Sequence, residues 1–237
     1  MTKLSAAEQI KTAEIIAIGT ELLLGQTMDT NSFYLAEKLS DLGINTFRRQ
    51  VVGDHRERIH DAIRLALEVN DLVITTGGLG ASDDDITVQV VSDITELALV
   101  EDSSVTAAIR KLYPDSDRPD FIIPRVPEGA KAFPNNNGTA PASLTSFSHK
   151  GNMRHILVLP GPPSENIPLL EEQVIPYLSR YSSSRFIHRY VRMIGIGEYK
   201  IEQHLKDLVT GQTNPTLAPY AGEGGVVLRI SQKLEEG

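Results

Sequence analysis

Three apolar segments of this chain run straight into glycine. Glu14-Ile-Ile-Ala-Ile18 meets Gly19, Asp71-Leu-Val-Ile-Thr-Thr76 meets Gly77-Gly78-Leu79-Gly80, and His155-Ile-Leu-Val-Leu-Pro160 meets Gly161. Each run is too short for a helix and too uniformly apolar for a strand with one wet face, so each reads as a strand buried on both sides. Helical patterns lie between them. Asp29-Thr30-Asn31 can cap a helix that carries Leu35, Leu39 and Leu42 on one face and stops at Gly43. Residues 44–52 read as a strand, and residues 56–69 as a helix with Ile59, Ile63 and Leu67 four apart. Ser82 or Asp83 is expected to cap a further helix after the glycines. This alternation predicts an α/β fold: a doubly wound, mostly parallel sheet covered on both faces.

Residues 114–145 are rich in Pro, Asn and Gly and predict a long excursion of loops with short strands. A helix is expected from Gly161-Pro162-Pro163-Ser164-Glu165 to about residue 178. Ser182-Ser183-Ser184 is the linker candidate. Beyond it, a strand (187–194), a helix (197–209) and two strands (216–220 and 225–231) predict a second, smaller α/β module. The expected organisation is therefore a ligand-binding domain over 1–180 and a small domain over 185–237.

Composition narrows the functions. The 237 residues hold 23 Lys plus Arg against 31 Asp plus Glu, a formal net charge of −8, with no dense basic run. Nucleic acid and anionic membrane surfaces are poor expected partners for such a chain. Cysteine is absent, which excludes disulfides, thiolate catalysis and cysteine-held metals and suits a cytoplasmic location. No stretch approaches the roughly 20 apolar residues of a membrane-spanning helix. The six histidines show no metal-ligand spacing.

The chemistry points to the carboxyl ends of the strands, where open parallel sheets bind ligands. Glycines between a strand and a helix expose backbone N–H groups, and the helix start favours an anion there. The loop is neither a Walker loop nor a dinucleotide fingerprint. From spacing alone, a phosphate cradle and a tight turn with acidic capping are evenly matched. Asp83-Asp84-Asp85 sharpens the choice, because adjacent carboxylates repel each other and a phosphate unless a divalent cation joins them. Capping is the better explanation for Asp83 and the weaker one for Asp85. Glu21 and Asp29 follow the first strand and can share the crevice with Gly77; Asp54 follows the second and could join them, though helix capping is the better explanation for Asp54 alone. Asn135-Asn136-Asn137-Gly138-Thr139 offers a turn of low specificity.

Taken together, these segments resemble the CinA family, competence/damage-inducible protein A. The matching stretches are Gly19-Thr-Glu-Leu-Leu-Leu-Gly25, Asp29-Thr-Asn31, Thr75-Thr-Gly-Gly-Leu-Gly80, Asp84-Asp-Ile-Thr87, Val126-Pro-Glu-Gly-Ala130, Gly138-Thr-Ala-Pro141 and Pro160-Gly-Pro-Pro-Ser-Glu165. Gly195-Ile-Gly-Glu198 and Asn214-Pro-Thr-Leu-Ala-Pro-Tyr220 resemble the family's KH-like middle domain. The resemblance implies a first domain similar to the molybdopterin-binding domains of cofactor biosynthesis (MoaB/MogA-like) with metal-dependent ADP-ribose pyrophosphatase activity.

That activity would place Asp84 and Asp85 on a divalent cation such as magnesium, with a monovalent cation as a second candidate. Asp54 joins them as a catalytic candidate. Gly77, Gly78 and Gly80 would cradle phosphate, with Gly19, Glu21, Asp29, Asn31, Thr76, Gly138, Thr139 and Gly161 completing the ligand site. The expected partner is a phosphate-bearing nucleotide or a pterin, bound by a homo-oligomer. The alternatives are a molybdopterin-type binding or nucleotidyl-transfer protein and a non-catalytic binding module. Relatives often carry a further nicotinamide mononucleotide deamidase domain, and this chain is expected to be a shortened form without it.

Relatives usually carry Pro, Thr and Lys where this chain has Ala81, Ser82 and Asp83, a local charge change of two units at the last position. Ile123 replaces a polar residue and Ala142 a glycine. The acidic Gly222-Glu223-Gly224-Gly225 loop also argues against the RNA clamp of KH modules.

Overall fold

The computed structural model describes residues 9–80, 82, 84–114, 123–182, 184–222 and 224–235. Ala81, Asp83 and Glu223 lie outside the described residues, so the expectations placed on them have no structural account. The chain divides into two compact units, with the boundary between Ser182 and Ser183 and residues 40–43 grouped with the second unit.

The first unit is built on a six-stranded sheet. Its strands are β1 (Thr12–Ile18), β2 (Asn45–Val52), β3 (Leu72–Thr76), β6 (Lys131–Phe133), β7 (Ala142–His149) and β8 (Asn152–Leu159), in the order β2-β1-β3-β8-β7-β6. β2, β1, β3 and β8 are mutually parallel, whereas β7 and β6 run antiparallel. The chain moves from β1 outward to β2, then returns past β1 to β3. The crevice between β1 and β3 is thus the topological switch point, where such sheets bind ligands.

The helices are α1 (Thr20–Leu23), α2 (Thr30–Asp41), α3 (Arg56–Leu67), α4 (Thr87–Thr95) and α5 (Ser103–Leu112). A helical stretch follows β8, with α6 (Pro163–Leu169), a π-turn (Leu170–Val174) and α7 (Ile175–Leu178). The π-turn falls between Pro168 and Pro176, whose missing N–H groups interrupt the regular ladder. Ile16, Ile18, Val73, Ile156 and Val158 on one sheet face pack with Ile59, Ile63 and Leu67 of α3 and Val90 and Val91 of α4. The alternate residues Ile15, Ala17, Ile74, Leu157 and Leu159 are also buried, as are Leu35 and Leu39 of α2 and Leu169, Leu170 and Val174. Both faces are therefore covered, as the apolar strands require. A short ribbon of β4 (Leu99–Glu101) and β5 (Arg125–Pro127) stands apart from the sheet.

Two local expectations are corrected. Helix α4 begins at Thr87, so Ser82 does not cap it: Ile86 precedes it with no side-chain cap bond, and the alternative cap, Asp83, lies outside the described residues. Ser82 and Asp85 instead close a turn, with the Asp85 N–H donating to the Ser82 carbonyl and the Ser82 N–H to Asp85 Oδ2, each at 3.0 Å. The 114–145 stretch was expected to be loop with short strands, yet it ends inside the eight-residue β7. Its buried Ser143 and Thr145 hide that strand from a search for apolar runs.

The second unit carries β9 (Ser184–Ile194), α8 (Glu198–Val209), β10 (Thr216–Gly222) and β11 (Gly225–Glu235). The strands form an antiparallel sheet in the order β10-β11-β9, with Ile201, Val226 and Leu228 buried. Among the described residues, no helix is long and apolar enough to cross a membrane.

Candidate functional site

A cleft of about 560 Å³ opens in the first unit across the carboxyl ends of β1, β3 and β8. Gly19, Glu21, Asp29, Asn31, Asp54, Thr76, Gly77, Gly78, Gly80, Asp84, Asp85, Thr139 and Gly161 all line it. Gly138, also a candidate binding residue, is not part of the described wall. It is buried behind, where a Cβ would run into the Glu165 carboxylate.

The glycine loop is shaped by positive backbone angles, with φ of 103° at Gly77 and 67° at Gly78. L side chains rarely adopt these angles. A Cβ on Gly77 would strike the Ile18 carbonyl, and one on Gly78 would strike Thr87 Oγ1. The Gly77 N–H is used by the Leu159 carbonyl at 3.0 Å. Among the described residues, the N–H groups of Gly78, Leu79 and Gly80 have no hydrogen-bond acceptor. Unpaired amides on a loop that lines an open cleft form an anion-binding concavity.

Behind this loop a buried polar network ties the ends of β3 and β8 to helices α2 and α6. Thr76 Oγ1 donates to the Pro160 carbonyl at 3.1 Å. It accepts from Asn31 Nδ2 at 2.9 Å and from Asn166 Nδ2 at 3.1 Å. The same amides reach the Gly161 and Pro160 carbonyls, both at 2.7 Å. A buried hydroxyl and two buried amides thus satisfy carbonyls that the ends of β3 and β8 leave open. Among the described residues, the Oδ1 atoms of Asn31 and Asn166 have no partner.

Three of the carboxylates are held in place by hydrogen bonds. Asp29 Oδ1 accepts from the Ser32 N–H at 2.9 Å and caps α2, as expected. Asp54 Oδ2 accepts from the Thr20 N–H at 2.7 Å. Glu165 Oε2 accepts from Asn135 Nδ2 at 2.7 Å, and the same amide holds the Ala140 carbonyl at 2.9 Å. Glu165, Asn135 and Thr87 stand inside the sequence stretches described above but had no individual role there, and Asn166 stands outside them; none carries a local signal of the distant partner it meets. Ile123 packs on the small cluster of Val105, Ile109, Val126 and Ala132, and Ala142 is buried in β7, so neither departure lies in the cleft wall.

One charge pattern dominates. The described wall carries six carboxylates, Glu21, Asp29, Asp54, Asp84, Asp85 and Glu165, and no Lys, Arg or His. Among the described residues, no three His, Asp or Glu side chains converge on one point as a preformed metal cage would. Magnesium needs only one or two carboxylates when phosphate oxygens and water complete its shell. Half-buried Asp85 and exposed Asp84, beside the free amides, fit a cation that arrives with a phosphate.

A doubly wound sheet with a glycine-walled acidic cleft at its switch point defines an α/β ligand-binding domain. The family described as "Probable molybdopterin binding domain" matches residues 14–180, and "Damage-inducible protein CinA KH domain" matches residues 188–236. The chain is 44% identical over 227 residues to a competence-damage inducible protein of Clostridium beijerinckii, covering 94% of this chain and 54% of the relative. It is 45% identical over 230 residues to the one from Caldicellulosiruptor bescii, with the same two coverages. It thus spans about half the length of the curated relatives it matches. The crystal structure of the protein CinA from Thermoplasma acidophilum matches with a TM-score of 0.61 at 34% identity, covering 70% of this chain and 98% of that one. The chain belongs to the CinA family, with a molybdopterin-binding-type first domain.

Proposed function

We propose that the cleft binds the divalent-cation complex of a diphosphate-bearing nucleotide, ADP-ribose foremost, and hydrolyses its diphosphate. The observation that carries this reading is that, among the described residues, loop amides at Gly78, Leu79 and Gly80 without an acceptor face a wall of six carboxylates and no basic side chain. Amides alone favour an anion, and the carboxylates alone repel it; a phosphate that brings its own cation satisfies both.

Asp84 and Asp85 would hold the cation, which supplies Lewis-acid stabilisation of charge on the diphosphate oxygens when bound. The chain's own part is positional. The loop amides hold a phosphate, the Ser82 N–H fixes the Asp85 carboxylate, and Asp84 is the exposed carboxylate able to orient an attacking water. Glu21, Asn31 and Glu165 are the groups able to meet ligand hydroxyls. Hydrolysis at the diphosphate of ADP-ribose yields AMP and ribose 5-phosphate. Chromatography of these products with and without magnesium tests the reading, and absence of both with every divalent cation tried overturns the enzyme.

The family description favours a second reading, in which a pterin occupies the same cleft. Saturable quenching of pterin fluorescence, with no turnover of ADP-ribose, would support it.

A further inference from the structure

We infer that Thr87 is the residue that aims the glycine loop's amides into the cleft; the inference rests on the phosphate reading of that loop. Thr87 is fully buried and is not part of the cleft wall, whereas Gly77, Gly78 and Leu79 are. It therefore stands behind the loop. Its hydroxyl donates to the Gly77 carbonyl at 3.0 Å, and its backbone N–H donates to the Gly78 carbonyl at 3.2 Å. In a trans peptide the C=O and the following N–H point in opposite directions. Drawing the Gly77 carbonyl back onto Thr87 turns the Gly78 N–H forward, and drawing the Gly78 carbonyl back turns the Leu79 N–H forward. One residue thereby orients two consecutive donors, and glycine at both positions is what permits the required positive φ. The Thr87 backbone would make its bond with any side chain. The hydroxyl is the replaceable half of the device, and it controls the Gly78 amide.

Thr87→Val keeps the shape and removes the donor, whereas Thr87→Ser keeps the donor and removes a methyl. The probes are ADP with magnesium, read by calorimetry, and magnesium pyrophosphate, read through the amide NMR signals of Gly78 and Leu79. The parent and Thr87→Ser should bind ADP within about threefold of each other, because both retain the hydroxyl donor. Thr87→Val should weaken binding by about tenfold or more, the effect expected when a charge-assisted hydrogen bond loses its alignment. Pyrophosphate should shift the Gly78 amide downfield in the parent and in Thr87→Ser but not in Thr87→Val. A folded Thr87→Val with parental affinity and a lowered melting temperature makes Thr87 purely structural and overturns the inference, leaving the phosphate reading intact. If Thr87→Val does not fold, a folded Thr87→Ser that loses affinity overturns it equally. A parent that binds neither probe overturns the phosphate reading itself and this inference with it.

Discussion

Thr20 and Asp54 cap one another across the carboxyl ends of β1 and β2. The Thr20 N–H donates to Asp54 Oδ2 at 2.7 Å, and the Asp54 N–H donates to Thr20 Oγ1 at 3.2 Å. This exchange fixes the loop that carries Gly19 and Glu21 into the cleft. It gives Asp54 a positioning role alongside its place in the wall. Asp54→Ala should cost about 1 kcal/mol, the usual loss when a cap carboxylate is removed. For a protein of this size that corresponds to roughly 2–4 °C in melting temperature. Calorimetric scans of the two proteins measure it, and an unchanged transition would show that the exchange contributes nothing.

Asp85 is predicted to matter through its charge. Asp85→Asn can still accept the Ser82 N–H through its amide oxygen, so the turn and the melting temperature should be nearly unchanged. Metal-dependent cleavage of ADP-ribose should be lost, because a neutral amide is a poor partner for a hard cation. Parental turnover by Asp85→Asn would make this carboxylate structural. Asp83→Lys places at this position the cation that the family resemblance implies and should leave turnover equal or higher.

Gly78→Val is expected to remove ligand binding while far-ultraviolet circular dichroism stays close to the parent. The structure adds a stability cost. The new side chain sits at a φ of 67° and collides with buried Thr87 Oγ1, so melting should fall by several degrees. Undiminished affinity in that variant would move the phosphate site elsewhere.

A pH dependence of folding should come from the far edge of the sheet. His155 is buried at the start of β8, its ring edge-on to Tyr181 with centroids 5.3 Å apart and its Nδ1 2.8 Å from Ser146 Oγ. Burial disfavours the charged ring and lowers its pKa from 6.5 to about 4, and the nearby Asp71 only partly offsets this. The unfolded chain therefore takes up a proton that the folded one refuses. Stability is full above about pH 6.5 and declines as the pH falls toward 4. Between pH 7 and pH 5 the loss should be about 2 kcal/mol, read as a shift of the urea midpoint. His155→Gln should flatten that slope. An equal slope in both proteins would assign the pH dependence to other groups.

The strand–glycine junctions made β1, β3, β8 and the cleft floor visible in the sequence, because apolar runs and backbone-permissive residues are local signals. The helix faces of Leu35, Leu39, Ile59 and Ile63 were legible for the same reason, and all four are buried. What stayed hidden depends on distant partners. Asn166 is a short polar residue near a helix start until it meets Thr76, 90 positions away. Glu14 read as the head of an apolar run, yet it is buried and bound by Arg48, Gln50 and Asn70. Asp85 stood out in the sequence only as the weaker capping candidate, and the partner that holds it, the Ser82 N–H, became visible in the fold.

The absence of basic side chains from the described wall also bears on how a ligand gets there. A bare polyphosphate approaching six carboxylates climbs a repulsive potential, so its encounter rate should rise with added salt, the reverse of the steering seen at basic clefts. A magnesium-neutralised nucleotide meets a much lower barrier and should be almost indifferent to ionic strength. The cleft would then discriminate before contact, admitting nucleotides according to the counter-ion they carry rather than the base they display.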